Sequence, residues 1–147
     1  MTDFSLTAKI KSLTEGYDNT VGNLANVSSL LYMTLDNVSW VGFYLLKNGV
    51  LELGPFQGKP ACMSIPIGKG VCGKAVAKNE TMLVKNVHEF PGHIACDPDS
   101  KSELVIPLRK NGNVVGVLDI DSASFGRFDE SDAKTLGNAC GYIETLL

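Results

Sequence analysis

Most features that would assign a chain to a large functional class at sight are missing here. No apolar stretch approaches the roughly 18 residues that a membrane helix needs. The N-terminus, Met1-Thr2-Asp3-Phe4-Ser5-Leu6, lacks the basic region and apolar run of a signal peptide. Lysine and arginine total 13 against 16 acidic residues, for a net charge of −3, and they form no cluster. That balance argues against nucleic acid or an anionic membrane as the main partner. There is no internal repeat, low-complexity stretch or linker. The GxxxxGK[ST] phosphate loop is absent, and GxGxxG fails in Gly68-Lys69-Gly70-Val71-Cys72-Gly73 because Lys74 and Ala75 follow. Zinc normally asks for tight ligand pairs such as C-x2-C. The nearest approach is His93-x-x-Cys96, so no bound metal is expected. These absences leave a cytoplasmic protein of one domain, 147 residues long. Such a chain buries a real core without disulfide staples. In the cytosol its four cysteines are expected to rest as free thiols.

What the chain does have is three cysteines beside turn residues, Cys62, Cys72 and Cys96, spaced C-x9-C-x23-C. Reactive groups concentrate on loops held by a rigid scaffold, so a shared oxidation site for two or three thiols is the first expectation. A helix opening near Val71 lowers the pKa expected for Cys72. Cys140 follows Asn138-Ala139 in the last helix and reads as a core residue. His93 either polarises the Cys96 thiol or makes a backbone hydrogen bond in its loop.

Periodicity gives the architecture. Residues from about 4 to 35 read as helical, with Leu24, Val27, Leu31 and Leu35 lining one face. Strands follow at Val38 to Leu46, Val50 to Leu53 and Met63 to Ile67. Then come a short helix from Val71 to Ala77, a short strand from Met82 to Val84, and a long loop. Two strong strands at Leu104 to Leu108 and Val114 to Ile120 complete the sheet. Asn48-Gly49 and Asn111-Gly112 mark hairpins. Asp129 caps a last helix that runs to about Leu146. The fold class is α+β: one antiparallel sheet with the terminal helices on one face and pocket-forming loops on the other. The sheet and loops span about 38–122 and the C-terminal helix about 129–146.

Two residue sets face that pocket by strand alternation. Asp119 and Asp121 point one way, with Leu118 and Ile120 opposite, and Glu103 lies across the hairpin from Asp121. Either this is a solvent-facing strand surface, or it is a carboxylate patch that holds a cation and keeps one carboxyl protonated. Trp40 and Tyr44 share a face as well, either as core residues or as an aromatic wall.

The segments VSWVGFYLL, LGPFQGKPAC, IPIGKGVCGKAVA, HIACD, SELVIPL, GVLDIDS and FGRFDE occur in order from Val38 to Glu130. In these the chain resembles the free methionine-(R)-sulfoxide reductases, enzymes built on a single GAF domain, here 1–147. The resemblance implies that Cys96 is the nucleophile toward the sulfoxide sulfur. It implies that Cys62 then forms a disulfide with Cys96, with Cys72 as an alternative partner or relay. Glu103, Asp119 and Asp121 are implied to bind the substrate ammonium and to help protonate the sulfoxide. Trp40 and Tyr44 are implied to form the aromatic wall, Trp40 against the substrate methyl. No bound cofactor is implied; thioredoxin is the external reductant, and a homodimer is expected. A cluster of acids also favours a free amino acid over a peptide, which has no ammonium at that position. Two readings compete with this one: a ligand-binding GAF sensor, and a protein whose cysteines only record oxidant.

Overall fold

A computed structural model describes residues 3–147. The element order is α1 (Asp3–Thr14), α2 (Thr20–Thr34), β1 (Trp40–Lys47), β2 (Val50–Gln57), β3 (Ser64–Pro66), α3 (Gly70–Lys78), β4 (Met82–Val84), β5 (Ser102–Lys110), β6 (Asn113–Ser122) and α4 (Glu130–Ile143). Single 3-10 turns at Val87–Glu89 and Glu144–Leu146 complete it. The six strands form one sheet in the order β3-β2-β1-β6-β5-β4, every neighbouring pair antiparallel.

The helical N-terminal segment is two helices, not one. Gly16 takes a φ of +84°, which breaks the first, and Asn19 caps the second by accepting from the Gly22 N–H at 3.0 Å. Both expected hairpins form. Asn48 and Gly49, and again Asn111 and Gly112, all have positive φ, the signature of the turn whose twist matches paired strands. Asp129 caps α4 in a reciprocal capping box with Asp132.

Strand alternation divides the sheet between two cores. Val41 and Phe43 of β1, Leu104, Ile106 and Leu108 of β5, and Leu118 and Ile120 of β6 pack with Leu24, Val27 and Leu31 of α2 and Leu136 and Ile143 of α4. On the other face Trp40, Tyr44, Val105 and Val117 pack with Val71, Cys72 and Ala75 of α3 and Val87 of the following loop.

One irregularity positions the site. An unbroken two-residue hairpin would set Glu103 opposite Ile120. The register instead shifts between Leu108 and Arg109, where Val115 is the extra residue of β6, and Glu103 pairs with Asp121. A shift of one residue exchanges the faces of a strand, so this bulge brings Asp119 and Asp121 to the same face as Glu103.

Candidate active site

Across the loop face the paired strands set side chains in rows. Trp40 of β1, Asp121 of β6, Glu103 of β5 and Val84 of β4 form one row; Gly42, Asp119, Val105 and Met82 form the next. Gly42 has a steric reason to be glycine. A Cβ there would fall 2.6 Å from the Trp40 ring and 2.4 Å from Phe56 Cβ. Its absence lets Trp40 lie flat against Phe56, with ring centroids 5.2 Å apart, and 6.0 Å from Tyr44. Trp40 and Tyr44 are both buried: they pack in the second core and they line a cavity.

That cavity, of about 40 Å³, is bounded by the sheet rows, by α3, and by two loops carrying Pro60-Ala61 and His93 to Ser100. The loops are tied to the sheet and to each other. Trp40 Nε1 donates to the Lys59 carbonyl at 3.1 Å, and the Tyr44 hydroxyl donates to the Cys62 carbonyl at 2.9 Å. The Lys59 ammonium reaches Asp99 at 2.9 Å and Asp97 at 3.7 Å. Cys62 and Cys96 are joined by a disulfide, their Cα atoms 5.5 Å apart. The expectation of four free thiols is therefore corrected: two are bonded, and Cys72 and Cys140 are free and buried. Loops pinned this closely bring two partly exposed sulfurs together, which the 34-residue separation in sequence does not reveal.

The carboxylates converge as expected, but they are not a solvent-facing surface. Glu103 is 7% and Asp119 5% exposed, with Asp121 the least covered of the three. Burial pushes all three carboxyls up. Mutual repulsion adds to this at Glu103 and Asp121 and holds both well above the usual range. At Asp119 burial is opposed by hydrogen bonds from Glu103, Cys72 and Asp121, which favour its charged form. Burial thus disfavours the charged form at all three, and only at Asp119 do hydrogen bonds dominate the opposition to it. Asp119 Oδ1 has no hydrogen-bond partner, and the Ser100 hydroxyl, also at the cavity, has none either. Buried polar atoms of this kind call for a ligand, a proton or water.

Cys72 departs from expectation. It stands in the first turn of α3, where the helix terminus favours a thiolate. Burial and the charges of Asp119, Glu103 and Asp121 outweigh that, and its pKa lies well above the ordinary thiol value. Its Sγ lies 3.9 Å from Glu103 Oε2 as a neutral donor. Cys140 sits in the helix-side core, its thiol also raised by burial. His93 does not pair with the Cys96 sulfur among the described contacts. Its Nε2 is 4.0 Å from Glu103 Oε1, and burial, then the neighbouring His88, lowers its pKa toward the neutral ring.

Sequence reasoning missed the Lys59 clasp and the placement of His93. The clasp had a faint signal, a lone lysine before Pro60-Ala61-Cys62 and two aspartates just after Cys96, but no pattern linked them.

Comparison with known proteins bears on this site. The GAF domain family matches residues 26–147. The chain is 48% identical over 142 residues to the free methionine-R-sulfoxide reductase of Escherichia coli, covering 97% of this chain and 86% of that one. Among solved structures, the reduced form of fRMsr of Staphylococcus aureus superposes with a TM-score of 0.95 at 49% identity, covering 100% of this chain and 96% of that one. The free methionine-R-sulfoxide reductase from Neisseria meningitidis, solved in complex with its substrate, gives a TM-score of 0.94 at 42% identity and covers 98% of this chain and 87% of that one.

Proposed function

Starting from the fact that this chain belongs to the free methionine-R-sulfoxide reductases of the GAF domain family, we propose that it reduces free L-methionine-(R)-sulfoxide to methionine at the cavity beneath the Cys62–Cys96 disulfide. The observation that carries the reading is this disulfide, set over three buried carboxylates and an aromatic wall. It is the bond that one catalytic turnover leaves behind.

The steps balance as follows. The Cys96 thiolate attacks the sulfoxide sulfur while a carboxylic acid protonates the oxygen, a task suited to Glu103 or Asp121, whose pKa values burial raises well above the usual carboxylate range. The oxygen passes to Cys96 as a sulfenic acid and methionine departs. The Cys62 thiol attacks that sulfenic sulfur and releases water, forming the disulfide. A thioredoxin dithiol then attacks the disulfide, becomes oxidised itself, and returns both protein thiols through a mixed disulfide. The enzyme needs no bound cofactor in this scheme.

Substrate selection follows from charge. The carboxylates bind the free ammonium, and Trp40 and Tyr44 enclose the methylthio end. We assign resolution to Cys62. Cys72 serves the acid cluster as a neutral S–H donor, since its sulfur sits against Glu103 rather than at the disulfide. Among the described residues no helix is long and apolar enough to cross a membrane. We place the enzyme in the cytoplasm, where thioredoxin is available, and take its working unit to be a homodimer. Sedimentation velocity tests the latter.

The deciding experiment follows NADPH loss with thioredoxin, thioredoxin reductase and the pure protein. Free (R)-sulfoxide, free (S)-sulfoxide and a peptide-bound sulfoxide are supplied in turn. Loss with the free (R) form alone is expected. No loss with any form, in protein shown to hold reduced thiols, returns the chain to the reading of a ligand-binding sensor.

A further inference from the structure

The reduction leaves one property of the cavity unused. Among the described residues, Cys72 Sγ and one carboxylate oxygen each from Glu103 and Asp119 all lie within 4.8 Å of one another, and all three side chains are buried. We propose that these three groups form a binding site for a thiophilic divalent cation of the zinc class, and that the site is open while the Cys62–Cys96 disulfide is closed.

Four observations on the molecule support this. The first is the donor set. A substrate ammonium has use for oxygen acceptors only, whereas a sulfur beside two carboxylates suits zinc-class ions and not magnesium or calcium, which take oxygen. The second is geometry. Zinc binds sulfur at about 2.3 Å and carboxylate oxygen at about 2.0–2.2 Å, which sets tetrahedral ligand atoms roughly 3.5 Å apart. Cys72 Sγ is already 3.9 Å from Glu103 Oε2. The separations, none above 4.8 Å, close to that spacing by small side-chain movements, and the fourth position is left to water.

The third is unmet demand. Asp119 Oδ1 is buried without a hydrogen-bond partner, and so is the Ser100 hydroxyl at the same cavity. No lysine or arginine lines the cavity. Lys59, the cation of the overlying loop, is engaged outside it with Asp97 and Asp99. The fourth is size. A cavity of about 40 Å³ has room for an ion and its water.

When the ion binds, the Cys72 thiol loses its proton to solvent and no electron moves. Occupation keeps a substrate ammonium out, a consequence that rests on the function proposed above; the binding itself does not.

The test needs no turnover, so its failure is separate from any failure of the reductase reading. The disulfide form of the full chain is used, because it ties up Cys62 and Cys96 as rival ligands. Zn²⁺ is titrated calorimetrically, and Cd²⁺ is titrated while the sulfur-to-metal charge-transfer absorption is followed in the ultraviolet. One ion per chain and a clear Cd²⁺ band are expected, with no heat from Mg²⁺. Cys72→Ser removes the band, Asp119→Asn weakens binding at least tenfold, and Cys140→Ser retains both signals. Near-ultraviolet circular dichroism of the Trp40 environment verifies that each variant is folded. No Zn²⁺ bound by folded wild-type protein, or a band of full strength in folded Cys72→Ser, overturns the site.

Discussion

Strand β6 serves two faces whose chemistry is opposite within four residues. Leu118 and Ile120 enter a core made of α1, α2 and α4, all aliphatic or aromatic apart from Cys140. Asp119 and Asp121, between and beside them, enter a cavity where three carboxyls, a thiol and two aromatics are brought together. The two buried free thiols make the same contrast in miniature. Cys140 is raised chiefly by burial in apolar surroundings, and Cys72 by burial together with three neighbouring negative charges. One face therefore supplies free energy, through apolar area removed from water. The other costs free energy, because like charges are buried together. The second is tolerable because the same strands carry the first.

Substitutions that separate the faces test this division. The largest effect is expected from Cys96→Ser, which abolishes sulfoxide turnover while the protein stays folded. On the opposite face Cys140→Ala leaves turnover intact and costs about 1 kcal/mol of stability, a typical single-residue loss. Coupled NADPH assays and urea melts read the two quantities. Next comes the pair Leu118→Ala and Glu103→Gln. The first loses about 2–5 kcal/mol of stability, the usual cost of such a cavity, with kcat/KM per folded molecule unchanged. The second lowers kcat/KM at least about tenfold, the low end for proton transfer, and leaves the protein as stable or more so. A destabilised Glu103→Gln with normal turnover would reverse the assignment of the two faces.

A smaller effect is expected in the pH dependence. Glu103, Asp119 and Asp121 have folded pKa values raised above their unfolded ones. Above the unfolded values, about 3.9 for Asp and 4.3 for Glu, the folded state holds more protons than the unfolded state. Their contribution to stability is thus fully present below about pH 4 and is lost as pH rises through the folded values. Urea melts from pH 5 to pH 8 should show this decline, and Asp119→Asn should flatten it. A rise over that range would show that the cluster is not the controlling group. The smallest effect belongs to Lys59→Ala. Its shorter ion pair, to Asp99, is exposed on both sides and its lysine is exposed in both, so the melting temperature should hardly move. Only the rate of Cys62–Cys96 closure after oxidant should fall, and added salt should erase the difference.

Much of this was legible from the sequence for reasons that can be named. Alternation in Val117-Leu118-Asp119-Ile120-Asp121 fixed which residues share a face, and Asn-Gly at both hairpins fixed where strands reverse. The position of Glu103 was legible only roughly. Its pairing with Asp121 depends on the Val115 bulge, and the lone signal for it is Gly116, a glycine inside a strand. Local rules about helix starts failed at Cys72, because its pKa is set by three acids distant in sequence. The Cys62–Cys96 pairing and the Lys59 clasp depend on how two loops fold over the sheet, and spacing does not encode that.

The disulfide also changes the molecule as a polymer. It ties a loop spanning 34 residues, which includes α3 and β4 and begins at the edge strand β3. In the chain-entropy account, a cross-link of that length withholds freedom from the unfolded state worth about 3–4 kcal/mol. By the thermodynamic cycle that joins folding to reduction, whatever the bond adds to the fold, the fold adds to the bond's resistance to reduction. A protein that opens and closes this bond as it works therefore alternates between a looser and a tighter thermodynamic state. Its melting temperature would serve as a gauge of how recently it met an oxidant.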